Sequence, residues 1–418
     1  MGLIETINLI IGIVFFACYS YQFFFIIIPF VIKPKPHKEI KYHKYAILIP
    51  ARNEELVIKQ LLDSISEQTY PQDLITTFVV ADNCNDNTAS VARGKNVVVL
   101  ERENKEFRGK GYALNYLFEY IKTTYSYNEF DGYFVFDADN VLEKNYIEEM
   151  NKGFSDGYKI LTSYRNSKNY GDNWVSAGYA LWFLREAKYL NYSRFLLNTS
   201  CAISGTGFLF SKEIVIKNDG WKYYLLTEDI EFTVSNVING EKIGYCGKAI
   251  FYDEQPTKFR QSWKQRMRWA RGYLQVYRKY GWAMIKGALK GNFSCYDMSM
   301  TTMPAIVLTI ICFITNIVNL IIGIVLKTPI WLTLKPFLDV FISVYLTMFI
   351  LGAITIISEW KKIHTSTFRK ILFGFTFPIF MMTYIPISFV ALFKKVRWEQ
   401  IEHRKAMTLV DIKKKGKK

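Results

Sequence analysis

Cysteine and histidine are scarce in this 418-residue chain, with six of the first and four of the second. Cys18, Cys84, Cys201, Cys246, Cys295 and Cys312 form no C-x-x-C pair and share no even spacing. That excludes a disulfide scaffold and reads as a set of reduced thiols. His37, His43, His364 and His403 lie scattered in basic linkers, without the spacing of a metal site. Charge is missing from four long stretches: Thr6 to Ile32, Met298 to Leu326, Val340 to Ser358 and Ile371 to Phe393. Each is long enough, or nearly so, to cross a hydrocarbon core about 30 Å thick as a helix, which excludes an ordinary soluble protein. The first stretch has no basic residue ahead of it and no small-residue cleavage site behind it, so it reads as a retained anchor and not a signal peptide.

What charge there is leans basic: 53 Lys and Arg against 37 Asp and Glu, a net charge of +16. The excess gathers beside the apolar stretches, at Lys258 to Lys290, Lys361 to Lys370 and Lys394 to Lys418. This placement fits anionic headgroups and topology control, and no nucleic-acid partner is expected. Glu5 precedes the first stretch, while Lys33, Lys35, Lys38, Lys41 and Lys44 follow it. By the positive-inside rule the amino terminus faces out and residues 33–297 lie in the cytoplasm, which predicts a multi-pass protein of the plasma membrane. The chain divides into an anchor (1–32), a polar domain (33–257), interfacial amphipathic helices (258–297), spanning or re-entrant segments (298–393) and a basic tail (394–418). Three further crossings would leave that tail outside, against its charge. One segment therefore does not simply cross. Pro378 and Pro386 mark the last as broken, re-entrant or interfacial, with an extra crossing near Trp331 as the other solution.

Within the polar domain, Tyr133-Phe134-Val135-Phe136 reads as a buried strand that stops on Asp137-Ala138-Asp139. Side chains at i and i+2 of an extended chain point the same way, so the two carboxylates could serve one divalent cation, Mg²⁺ or Mn²⁺, arriving with phosphates. Taken alone, Asp-x-Asp after a strand is commonly a turn or a cap. Upstream, Tyr45 to Pro50 reads as a strand, Leu56 to Gln68 as a helix, Phe78-Val79-Val80 as a strand ending near Asp82, Asn96 to Leu100 as another strand, and Tyr112 to Lys122 as a helix behind Gly109-Lys110-Gly111. Such alternation predicts an α/β fold, a mainly parallel sheet with helices on both faces. Asn53, Glu54, Asp82, Asp137 and Asp139 then share the carboxyl edge where open α/β sheets bind ligands, with Lys110 at a helix start. Trp174 to Tyr192 reads as one aromatic-rich helix. Thr227 can cap a helix that begins at Glu228-Asp229. Phe259 to Lys290 alternates basic and aromatic residues, as helices in the membrane interface do.

Four signals thus stand in order: Asp82, Asp137-Ala138-Asp139, Thr227-Glu228-Asp229, and Gln265-Arg266-Met267-Arg268-Trp269. From about Tyr45 to Tyr280 the chain resembles the processive membrane glycosyltransferases of family 2, the group of cellulose, chitin, hyaluronan and poly-N-acetylglucosamine synthases. The resemblance implies a GT-A nucleotide-sugar domain joined to transmembrane helices. Asn53, Glu54 and Asp82 would hold uridine, and Lys110 the diphosphate. Asp137 and Asp139 would be the nucleotide and metal carboxylates, and Asp229 the general base. Glu228, Gln265, Arg268 and Trp269 would hold the acceptor end and the departing diphosphate. Donor and acceptor would be a UDP-sugar and a growing polysaccharide, with a β-glucan from UDP-glucose, cellulose-like or of mixed linkage, favoured over an N-acetylglucosamine polymer. A non-processive lipid glucosyltransferase is the other enzymatic reading. Two departures stand out. Ala81-Asp82-Asn83-Cys84 replaces a frequent Asp-Asp-Gly-Ser, and Ser204-Gly205-Thr206-Gly207 replaces a Cys-Gly-containing acceptor loop. With only about 25 residues after the last apolar segment, no control by a cyclic dinucleotide is expected, and the narrow set of spans leaves room for self-association or an accessory export subunit.

Overall fold

The computed structural model of the chain describes residues 2–94 and 96–416; Met1, Lys417 and Lys418, assigned above to the anchor and the tail, lie outside them. The amino-terminal apolar stretch forms α1 (Leu3–Tyr19) and α2 (Tyr21–Val31). The polar domain then alternates as expected: β1 (Tyr45–Ala51), α3 (Ile58–Ser66), β2 (Ile75–Asp82), α4 (Thr88–Ala92), β3 (Val97–Arg102), α5 (Lys110–Thr124) and β4 (Gly132–Val135). It continues through β5 (Val141–Leu142), α6 (Tyr146–Ser155), β6 (Ile160–Ser167), α7 (Trp174–Arg185), α8 (Tyr192–Leu196), β7 (Phe208–Ser211), α9 (Lys212–Asn218), α10 (Glu228–Ile238) and β8 (Ile243–Asp253). The strands make one sheet ordered β3-β2-β1-β4-β7-β6-β8-β5. Strands β1 to β4 pair in parallel and β7 runs against both neighbours.

Side-chain alternation along β1 separates two cores. Ala46 and Leu48 face Leu114, Leu117 and Phe118 of α5, whereas Tyr45, Ile47 and Ile49 face Leu61 of α3 and Met150 of α6. Because both faces are covered, these strands read in sequence as unbroken apolar runs. Each fully buried Leu, Ile or Phe adds roughly 1.5–3 kcal/mol of burial free energy. The chain then leaves the sheet edge on Asn53 and Asn83, each at φ 52°, a left-handed conformation that asparagine tolerates better than most residues.

Two elements depart from expectation. The helix from Trp174 is interrupted by a π-helical turn at Glu186–Asn191, between α7 and α8. The Asn191 amide side chain occupies the widened turn, donating to the Ala202 carbonyl and accepting from its N–H, both at 3.0 Å. Phe259 to Lys290 forms not several helices but one of 31 residues, α11 (Phe259–Leu289).

Beyond it come α12 (Phe293–Thr302), α13 (Pro304–Val325), α14 (Ile330–Ser358), α15 (Thr367–Met382), α16 (Tyr384–Phe393) and α17 (Leu409–Lys415). Among the described residues four helical stretches are long and apolar enough to cross a membrane: Leu3–Val31, Phe293–Val325, Ile330–Ser358 and Thr367–Phe393. The fourth meets the polar domain at both ends. Before and within its first turn, Asn166 donates to the Lys362 carbonyl at 3.0 Å and Arg369 to that of Gly171 at 2.9 Å. Past its end, Gln400 donates to the Arg52 carbonyl at 2.6 Å. This stretch breaks at Thr383, between Pro378 and Pro386, where Pro386 has no N–H to bond back toward Met382. Arg266 of α11 fills the break, donating to the Phe380 carbonyl at 3.1 Å and to Thr383 Oγ1 at 2.6 Å. Gly178 lets α15 come this close to α7, since a Cβ there would sit 2.2 Å from the Phe380 ring.

Candidate active site

The donor side is built from the carboxyl ends of β1, β2 and β4. Glu54 follows β1, where its N–H donates to Thr88 Oγ1 at 2.8 Å. Its buried carboxylate faces His403 Nδ1, 3.0 Å from either oxygen. Burial pushes the Glu54 carboxyl up to about 7, against the pull of His403. Asp82, at the end of β2, is buried and paired with Arg102 at 2.5 Å. Lys110 opens α5 and reaches Asp137 Oδ1 at 2.5 Å and the Gly205 carbonyl at 2.7 Å. Both flanking glycines are needed there: Gly109 sits at φ 125°, and a Cβ on Gly111 would meet the Tyr223 carbonyl oxygen at 2.2 Å.

The two carboxylates after β4 have different surroundings. Asp137 is part-exposed and bound to Lys110, while Asp139 is buried and accepts from the Glu254 N–H at 2.7 Å. Burial would raise the Asp139 carboxyl, but His403, Lys168 and Arg165 outweigh it and hold the group below its ordinary value. Among the described residues no three His, Cys, Asp or Glu side chains converge as a ready-made metal cage. One or two oxygens beside room for phosphate are, however, the sparse set that Mg²⁺ or Mn²⁺ accepts when phosphate and water complete its shell.

Across the cavity, Gly205 donates its N–H to Asp229 Oδ2 at 2.7 Å, which fixes the carboxylate in the first turn of α10. Thr227 occupies the position before that helix but makes no capping hydrogen bond. It packs instead against α11 where Gly272 leaves room, a Cβ there falling 2.5 Å from the threonine methyl. The capping expectation gives way to this close helix contact. Burial raises both carboxyls, Glu228 to about 7 with the Asp229 charge adding to the rise, and Asp229 against the pull of its backbone N–H donors and Lys110. On α11, Gln265, Arg268 and Trp269 stand at i, i+3 and i+4, hence on one face. The Trp269 ring lies edge-on to Tyr179 at 5.6 Å. Gln265 Oε1, Arg268 Nε, and Arg52 Nε and Nη1 are buried with no hydrogen-bond partner, as donor and acceptor groups waiting for a ligand are.

A single cavity of about 1680 Å³ joins these groups. Ten of the eleven residues singled out from sequence line it: Glu54, Asp82, Lys110, Asp137, Asp139, Glu228, Asp229, Gln265, Arg268 and Trp269. Asn53 does not. Its side chain accepts from the Asn85 N–H at 2.8 Å and donates to Gln400 at 3.2 Å, so it shapes the turn. Sequence reasoning missed Arg165, Asp253 and Glu254, although Asp253-Glu254-Gln255 ends a strand much as Asp137-Ala138-Asp139 does. It also missed Trp398, Gln400 and His403, which belong to the tail and line the same cavity. Nothing in the spacing of the four histidines marks His403.

Residues 43–272, more than half of the chain, match the family described as Glycosyltransferase like family 2. A probable glycosyltransferase of Bacillus subtilis, YdaM, is 27% identical over 57% of this chain, which spans only 57% of that relative's length. The poly-beta-1,6-N-acetyl-D-glucosamine synthase of Staphylococcus epidermidis is 24% identical over 69% of this chain and 70% of its own. Among solved structures, the fold is similar to that of a mannosyltransferase from Pyrobaculum calidifontis determined with GDP-Man and Mn²⁺, with a TM-score of 0.59, 14% identity and coverage of 94% of this chain and 99% of that one. With its GT-A sheet, its edge carboxylates and the matched span from 43 to 272, the chain belongs to glycosyltransferase family 2, the nucleotide-sugar-dependent transferases.

Proposed function

We propose that the protein is a processive, inverting β-glycosyltransferase that polymerises glucose from UDP-glucose into a β-glucan and passes the polymer through its own membrane helices. The observation that carries this reading is the continuity of the cavity. From Asp139 and Asp229 it runs past Trp269 and Tyr384 and between the apolar helices to Asn8 and Lys335. Three stretches cross the bilayer in this reading, while Thr367–Phe393 enters and returns, its two ends held on one side by Gly171 and Arg52. This arrangement would leave the basic tail on the same side as the polar domain, in keeping with its charge.

In the reaction, the acceptor hydroxyl attacks the anomeric carbon as the bond from that carbon to the β-phosphate oxygen breaks. Asp229 takes the hydroxyl proton. A single base with no covalent nucleophile inverts the centre, so an α-linked donor yields a β-linkage. Lys110 and Arg268 face the charge that builds on the departing diphosphate. A divalent cation held by Asp139 and Asp137 would supply further charge stabilisation there. Trp269 offers an apolar ring face to the terminal sugar of the acceptor.

The Glu228–Asp229 pair sets the pH response. Because burial holds both carboxyls above their ordinary range, the base gains its proton at a higher pH than an ordinary aspartate does, and turnover should fall off on the acid side correspondingly early. Glu228→Gln, which removes the neighbouring negative charge, should move that limb to lower pH in initial-rate profiles. An unshifted limb would place the titrating group elsewhere.

A second reading has its own support: the cavity walls between the helices are largely apolar, with Phe16, Phe313, Phe341 and Leu351 among them, which suits a lipid acceptor. One experiment separates the two. Purified protein is given several UDP-sugars with Mn²⁺ or Mg²⁺, and the product is digested with linkage-specific glycosidases. A glucan ladder from UDP-glucose supports the synthase, whereas a single lipid-linked sugar supports the second reading and overturns the first. An N-acetylglucosamine ladder would correct the sugar alone.

A further inference from the structure

Arg165, on β6, lines the cavity, and the reaction set out above makes no use of it. Its guanidinium lies 3.5 Å from the centre of the Phe183 ring. Nε donates to Asp253 Oδ2 at 2.7 Å, and Nη2 pairs with the same oxygen. That leaves Nη1, which donates to the Ser204 carbonyl at 2.9 Å.

The peptide group that Arg165 holds is the one that holds the base. The Ser204 carbonyl and the Gly205 N–H share one rigid amide plane, and that N–H donates to Asp229 Oδ2 at 2.7 Å. A row of contacts therefore runs from Asp253 through Arg165 and the Ser204–Gly205 amide to Asp229. Chained hydrogen bonds polarise one another, so a cation on the carbonyl oxygen makes the N–H beyond it a stronger donor. A stronger donor favours the ionised carboxylate, the form that can take a proton. The far end of the row is fixed as well, because Asp253 precedes Glu254, whose N–H donates to Asp139 at 2.7 Å.

Left to itself, this turn is poorly held. Gly205 sits at φ 82°, with the Thr206 N–H donating back to the Ser204 carbonyl at 3.0 Å, a γ-turn of the rare, strained hand. Glu186 accepts from Ser204 Oγ at 3.1 Å, and Lys110 holds the next amide by donating to the Gly205 carbonyl at 2.7 Å. Lys110 also faces the diphosphate, so Arg165 is the grip that stays in place when a donor arrives.

We propose that Arg165 is a positioning residue for the transfer step: acting through the Ser204–Gly205 amide, it fixes where the Asp229 carboxylate points and keeps it ionised for the acceptor proton. The inference rests on Asp229 as the base and adds the residue that governs it. The other charged or titratable groups facing the Glu228–Asp229 pair are Lys110 of α5, Glu186 of the π-helical turn, and Arg268 and Tyr273 of α11.

The test uses the full chain in detergent, with UDP release from UDP-glucose followed across the acid limb of the pH profile and UDP titrated calorimetrically with Mn²⁺. Arg165→Lys keeps a cation for Asp253 but loses the planar fork that reaches both partners. A double variant, Arg165→Gln with Asp253→Asn, removes both charges and so leaves no buried carboxylate unpaired. Both should lose turnover by about tenfold or more, the value of one charged hydrogen bond, while UDP affinity stays within about twofold of wild type. Their acid limb should move to higher pH, opposite to the shift expected of Glu228→Gln. In an Asp229→Asn background, Arg165→Lys should cost less than about threefold more, because its effect passes through the missing carboxylate. An unmoved limb would make Arg165 merely structural, and a loss of UDP affinity would make it a donor ligand; either overturns the inference and leaves the base assignment intact. Near-normal turnover of Asp229→Asn alone would overturn the base assignment itself.

Discussion

Asp229→Asn is expected to bind UDP as the wild type does and to lose turnover by about a thousandfold, within the range a positioned general base contributes. The substitution is close to isosteric, and its amide oxygen can still accept from the Gly205 N–H that holds the carboxylate at 2.7 Å. What disappears is the ability to take the acceptor proton, because an amide is not a base at neutral pH. Loss of kcat with an unchanged UDP dissociation constant is the signature of a group that acts in the transition state only. Single-turnover UDP release and calorimetric UDP titration on the same preparation measure the two. Near-normal turnover would move the base to Glu228, its half-buried neighbour on the same helix turn.

Asp139→Ala is expected to weaken UDP binding in the presence of Mn²⁺ by about a hundredfold and to leave the remaining affinity indifferent to EDTA, as removal of a carboxylate that supports a cation should. The structure adds a complication that the experiment must meet. Asp139 is buried with Lys168 and His403 around it, and removing one partner of a buried charged group typically costs about 3–5 kcal/mol of stability. Asp139→Asn, which can still accept from the Glu254 N–H, keeps more of the local scaffold. If both variants hold their thermal midpoint and lose metal-dependent binding, the assignment stands. Equal affinity with and without Mn²⁺ in wild type and variants alike would remove it.

Much of this site was legible because it obeys local rules. Strands covered on both faces declare themselves as apolar runs, so the ends of β1, β2 and β4, with Glu54, Asp82 and Asp137-Ala138-Asp139, could be laid along one edge before any geometry was known. The family resemblance, and not periodicity, singled out Gln265, Arg268 and Trp269, which α11 then puts on one face. The failures share a different cause. Thr227 has the composition of a cap, but a tertiary contact with Gly272 decides its role. Asn53 turns the chain and gives its side chain to Asn85 and Gln400. The segment between α16 and α17, which brings Trp398, Gln400 and His403 to the cavity, is the largest omission. A basic, helix-poor segment reads as solvated tail, and only folding reveals that every second residue of Val396 to Gln400 faces inward. Arg266 teaches the same lesson from inside a recognised motif: it turns away from the cavity and holds the broken helix at Thr383.

The apolar collar between the catalytic cavity and Lys335 has a consequence for the cell's energetics. A wet tube of this length, left open between rounds of synthesis, would leak protons and dissipate the potential across the bilayer. If the helices span a bilayer as the synthase reading has it, walls that carry Phe16, Phe313, Phe341 and Leu351 would resist filling with water, and an idle enzyme would stay electrically sealed through the chemistry of those walls.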